Sequence, residues 1–150
     1  MEIKAPALED HLGYWLRLVS NHVSAAFAEK LAARKITVAE WVLLRELYDR
    51  PQPPSALAEK LGMTRGAITK LADRLEARTL LARAADAQDG RAQIVSLTAS
   101  GRMLVPQLAA LADRNDAEFF AGLSDSERAG LKTLLIEIAR RRDLRGVPTE

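Results

Sequence analysis

The sequence predicts a mainly α fold with one small β-hairpin, and three observations carry that prediction. Apolar residues recur at intervals of three and four over most of the 150 residues. Two short helical patterns meet at a tight glycine turn, Gly62–Met63, with a capping threonine directly after it. Strand-type patterning appears once, between Leu80 and Leu97.

The first helix is read from Leu8, Leu12, Trp15, Leu16, Val19, Val23, Phe27 and Leu31, which keep one apolar stripe over an unusually long segment. Thr37 and Glu40 form a capping-box pair ahead of Trp41, Leu44 and Leu47, and Pro51, Pro53 and Pro54 place the end of this second helix near Asp49. Ser55 is placed to cap a third helix of about seven residues through Leu57, Ala58 and Leu61, which Gly62 ends. Thr64 caps a fourth, through Ile68, Leu71, Ala72 and Leu75 to about Ala77. Leu80–Arg83 and Ile94–Leu97 read as the strands of a hairpin whose polar tip is Asp86–Gly90. Thr98 caps a fifth helix that runs to Phe119 with Pro106 inside it, where a bend is expected. Ser124 and Glu127 box the start of a last helix, and Arg140, Arg141 and Arg142 suit its carboxyl end. The order is helices, helix-turn-helix, hairpin wing, helices: a winged helix-turn-helix in a single domain spanning 1–150. The lobe at about 37–97 carries the helix-turn-helix and hairpin, and the helices at about 8–33 and 98–142, apolar along one face with too few partners in a lobe of this size, are expected to form a dimerisation region.

Composition narrows the function. A net charge of +2 means that any nucleic-acid surface must come from the placement of cations and not from bulk charge. The chain has no cysteine, which removes disulfides, thiolate metal sites and thiol redox sensing. The amino terminus lacks a signal-peptide core, and no run of about 18 apolar residues exists to span a membrane, so a cytoplasmic location is expected. His11 and His22 lie roughly 16 Å apart on one helix at 1.5 Å per residue, too far to share a metal. No phosphate loop, G-x-S-x-G elbow, G-x-G-x-x-G turn or H-E-x-x-H pair is present, and no enzyme, cofactor or metal centre is expected.

A helical wheel of the fourth helix sets Ile68, Leu71 and Leu75 on one face and Arg65, Gly66, Thr69, Lys70, Asp73 and Arg74 on the other. A major groove about 12 Å wide admits such a helix when it offers donors for phosphates and short side chains for close approach. Periodicity alone reads this face equally as an ordinary solvated surface; the capped helix before it and the hairpin after it favour duplex DNA. At the hairpin tip, Asp89 is placed to hold Arg91, which can enter the adjacent minor groove.

The segments TVAEWVLLREL, SALAEKLGMTRGAITKLADRLEARTLLAR and DAQDGRAQIVSLTASGR match, in order and spacing, the core of the MarR (multiple antibiotic resistance regulator) family, which the chain resembles over nearly its whole length. The resemblance implies a homodimer joined through the first and last helices, a palindromic operator and, usually, repression. It implies DNA contacts at Ser55, Thr64, Arg65, Gly66, Thr69, Lys70 and Arg74, with Asp89 and Arg91 as the wing-tip pair. The loop before that pair, ADAQDG, carries two aspartates and fewer basic residues than many relatives show.

Release by a small aromatic or phenolic acid is a further implication. His11, Tyr14, Trp15 and Arg17 on the first helix, with Trp41 on the second, combine π surface with donors for such a ligand, although each tryptophan taken singly reads as core. Relatives that sense urate do so through a tryptophan, an aspartate and arginines, for which Trp15, Asp73 and Arg91 are the counterparts here. The rival function is a helical adaptor that keeps the fold and binds protein. It calls for an acidic or apolar fourth-helix face, against which Arg65, Lys70 and Arg74 speak.

Overall fold

Local side-chain chemistry decides where the first helix begins. The computed structural model describes residues 1 and 3–150, and in it α1 spans Leu12–Ala32 while Leu8–Asp10 form a single 3-10 turn. The apolar stripe predicted a start at Leu8. The Asp10 carboxylate instead accepts from the Ala7 N–H at 2.9 Å, a local bond that competes with helix extension.

The boxed starts are found where they are expected. α2 (Val38–Asp49) opens with the Thr37 hydroxyl accepting from the Glu40 N–H at 3.1 Å and the Glu40 carboxylate accepting from the Thr37 N–H at 2.9 Å. Ser55 does not cap the next helix: α3 spans Pro54–Leu61, with Pro53 in the capping position and Ser55 one residue inside the helix. Pro54 is preorganised for the first helical position, and that preference moves the start ahead of the serine. Gly62, at φ 65°, ends α3 in the left-handed conformation, and the Thr64 hydroxyl accepts from the Ala67 N–H at 3.1 Å to open α4 (Arg65–Ala77).

The hairpin pairs β1 (Leu81–Ala85) with β2 (Gln93–Leu97) antiparallel, Leu81 opposite Leu97. It is reinforced at the middle of β2 by an element that sequence patterning misses. Gln52, between α2 and α3, exchanges two backbone bonds with Val95, at 3.0 and 2.8 Å, and its side chain donates to the Glu46 carbonyl at 3.2 Å. Thr98 then caps α5 (Ala99–Phe120), which continues across Pro106 as a single helix, and the Ser124–Glu127 box opens α6 (Asp125–Arg141).

The core joins the helix-turn-helix to the wing and to α5 through Leu31, Leu43, Leu44, Leu57, Ile68, Leu75, Val95, Val105 and Leu108, all essentially inaccessible. Each such side chain contributes about 1.5–3 kcal/mol on burial, enough to fix the face that α4 turns outward. Above this core the α1–α5 crossing is held by polar groups. Buried Asn115 donates to the Val23 carbonyl at 3.1 Å and accepts from Lys30 at 3.0 Å, and Lys30 also reaches Glu118 at 2.8 Å. Beyond Asn115 no residue of α5 or α6 is buried. Leu12, Leu16 and Val19 of α1 are exposed, as are Leu131, Leu134, Leu135 and Ile138 of α6. Among the described residues no helix is long and apolar enough to cross a membrane.

Candidate nucleic-acid interface

Ile68, Leu71, Ala72 and Leu75 bury one side of α4, so Arg65, Gly66, Thr69, Lys70, Asp73 and Arg74 are exposed on the other. The Thr69 hydroxyl turns back to donate to the Arg65 carbonyl at 2.9 Å, leaving its methyl group and an oxygen lone pair outward. Gly66 gives the first turn a face with no side chain. Ser55 is exposed at the start of α3, and Thr64 is exposed at the cap of α4.

The cations divide into free and engaged. Among the described residues Arg65, Lys70 and Arg91 are paired with no carboxylate. Arg74 lies 3.9 Å from the buried carboxylate of Glu40, a loose pair that leaves the Arg74 side chain more than half exposed. Arg83 is locked. From β1 it reaches back to α4, donating to Asp73 at 2.7 Å and to Glu76 at 3.0 and 3.2 Å. These hydrogen bonds hold its guanidinium charged well above the ordinary arginine range, and the bond from Arg83 draws the Glu76 carboxyl below its ordinary value.

Of the urate-type set Trp15, Asp73 and Arg91, Asp73 is engaged by Arg83. Arg83 was not singled out in the sequence because its partners are seven and ten residues away on a different element. The legible signal was an arginine at the centre of the alternating strand LARAA.

The wing tip is a pair of side-chain-stabilised turns. The Asp86 carboxylate accepts from the Gln88 N–H at 3.0 Å and the Asp89 carboxylate accepts from the Arg91 N–H at 3.1 Å. Asp89 thus holds Arg91 through its backbone N–H, and the guanidinium stays exposed.

The proposed ligand residues are only partly brought together. His11, Tyr14, Trp15 and Arg17 share the first turns of α1, and the Tyr14 and Trp15 rings meet edge to face at 5.1 Å. Trp15 is 48% exposed, which overturns its reading as core; its indole N–H donates to the Glu9 carbonyl at 2.8 Å. Trp41 packs against the core and meets Phe27 edge to face at 6.5 Å. Phe27 lies roughly 18 Å along α1 from Trp15 at 1.5 Å per residue. Within one chain Trp41 therefore stands apart from the other four.

A model of the MarR family matches residues 35–92, the segment that contains α2, the helix-turn-helix and most of the wing. The chain is similar over 88% of its length to a probable transcriptional regulator from Pseudomonas aeruginosa, covering 99% of that chain at 31% identity with a TM-score of 0.75. It is similar to BpsR of Bordetella bronchiseptica, whose DNA binding is regulated by 6-hydroxynicotinic acid, at 27% identity over 91% of this chain and 98% of that one, with a TM-score of 0.76. A mutant MarR from E. coli complexed with operator DNA matches at 26% identity over 85% of this chain and 92% of that one, with a TM-score of 0.73.

Proposed function

The chain belongs to the MarR family of transcription regulators, and from that premise we propose a homodimeric repressor that binds a palindromic duplex operator and is released by a small aromatic or phenolic acid. One observation carries the DNA reading: Arg65 and Lys70 project without carboxylate partners from a helix whose reverse face is fixed in the core. α4 enters the major groove, with Gly66 and Thr69 allowing close approach and Arg65 and Lys70 reaching base edges or groove walls. Ser55 and Thr64 meet phosphates beside it, Arg74 meets a phosphate at the flank, and Arg91, held by the Asp89 turn, enters the minor groove.

The exposed apolar residues of α1 and α6 support the dimer, since one lobe of this size supplies no partner for them. Two-fold symmetry sets two reading helices one helical turn of DNA apart, about 34–36 Å, and so requires a palindrome. An acid seated among His11, Tyr14, Trp15, Arg17 and Trp41 would need surface from both subunits, because one chain does not unite these residues. Such a ligand releases DNA by favouring one of two dimer geometries.

Titration of the protein with duplex DNA over a range of salt concentrations tests the reading. Phosphate neutralisation gives an affinity that falls steeply with salt, and sites selected from random duplexes should be palindromic. A flat salt response would overturn DNA binding in favour of a protein-binding adaptor.

A further inference from the structure

Past α6 the chain turns through a built corner. The Leu144 N–H donates to the Ala139 carbonyl at 2.9 Å and the Asp143 N–H to the Arg140 carbonyl at 3.2 Å, with Asp143 left-handed at φ 50°. These are the two bonds of a Schellman motif. The Arg145 guanidinium braces the corner by donating to the Asp143 carboxylate at 3.0 and 3.3 Å. Gly146 follows at φ 98°, where a side chain is rarely accommodated.

The corner delivers the tail to the turn of the helix-turn-helix. Val147 is half-buried and packs against the core, and the tail shares a cleft with Leu61, Gly62 and Met63. The two glycines face each other: a Cβ on Gly62 would stand 3.8 Å from the Gly146 Cα. Met63 directly precedes Thr64, whose hydroxyl caps α4. The tail thus touches the entrance of the reading helix while α6, which it leaves, buries no residue at all.

We propose that residues 143–149 are a strap that positions the amino-terminal end of α4 relative to α6. The inference rests on the DNA-binding reading above. If α6 is a dimer helix, the strap adds a link between the dimer frame and each reading head, beyond the one through α1 and α5. It narrows the range of separations and tilts that the two heads sample before they meet DNA, and preorganisation of that kind favours the specific complex.

The absence of cysteine makes the test direct. Met63→Cys and Val147→Cys, introduced together and treated with a short bis-maleimide, should cross-link within one chain, giving an intact mass one reagent heavier with no free thiol left and a monomer on a denaturing gel. A covalent dimer, or no cross-link, overturns the proposal. The linked protein should keep wild-type affinity for a duplex selected from a random pool, and loss of binding on linking would equally overturn it.

Val147→Asp, and separately truncation after Leu144, should weaken binding of that duplex by roughly twofold to thirtyfold, the range expected for a coupled element. The salt slope should be unchanged because no phosphate contact is lost, and amide exchange should quicken over residues 63–67. Wild-type affinity and wild-type exchange in both variants would refute the strap. Failure of the unmodified protein to bind any duplex would refute the DNA reading instead, and the cross-link reports independently of it.

Discussion

At the scale of single residues, ion pairing separates cations that a helical wheel treats alike. Arg65 is unpaired, whereas Arg74 is 3.9 Å from Glu40. Arg74→Ala should weaken all duplexes about equally and lower the salt slope by less than about one unit, because part of its charge is already matched. Arg65→Ala should cost about 1–3 kcal/mol concentrated at one base pair of each half-site if it pairs with guanine. Binding to single-base operator variants at several salt concentrations distinguishes the two, and uniform losses for Arg65→Ala would reassign it to the backbone. The Glu76 carboxyl, drawn down by the bond from Arg83, stabilises the fold above the unfolded carboxylate range, about pH 4.3, and that contribution is lost as pH falls through its lower folded value. Glu76→Gln should therefore flatten the acid side of a melting-temperature profile. The wheel placed Arg65, Lys70 and Arg74 on the outer face correctly. It was blind to Glu40 and Arg83, whose partners are assembled by tertiary packing.

At the scale of elements, α5 is set by a contact no pattern announces. A Cβ on Gly101 would stand 2.0 Å from the Leu80 carbonyl oxygen, which also accepts from the Thr98 N–H at 3.2 Å. Backbone cannot give way as a side-chain end can, so Gly101→Ala should destabilise the fold by about 1–3 kcal/mol, the range for overpacking, while Gly130→Ala on exposed α6 should not. Thermal unfolding of the pair checks this, and equal melting temperatures would refute the close approach. Caps written as a pair of side chains, Thr37 with Glu40 and Ser124 with Glu127, were legible because both partners lie within one turn. The start of α3 was misread because Pro54 outweighs Ser55. The Gln52 bridge was invisible because a single residue exchanging backbone bonds leaves no alternation to read.

At the scale of the whole molecule, two faces still lack partners. Leu134→Glu in α6 and Leu12→Glu in α1 should each turn a dimer into smaller or aggregating species, and light scattering at micromolar concentration reports it. A wild-type folded monomer would remove both the dimer and the palindrome that follows from it. Addition of small aromatic acids should change Trp15 fluorescence and weaken operator binding together. If neither responds, ligand control is refuted and the aromatic cluster of α1 belongs to the dimer contact. The order of elements was legible from periodicity and turn chemistry because each element carries its own signal. The assembly of a ligand pocket was not, since His11, Tyr14, Trp15 and Arg17 are separated from Trp41 by the packing of α2 on Phe27.

For the proposed dimer, that α6 buries nothing of its own makes stability a matter of mass action. A helix that gains its partners only from a second chain ties the melting temperature to protein concentration, and dilution alone should lower it. On the proposed two-fold operator, occupancy would then rise more steeply than linearly with copy number when copies are few. A small change in synthesis would become a larger change in the proposed repression, with no ligand involved.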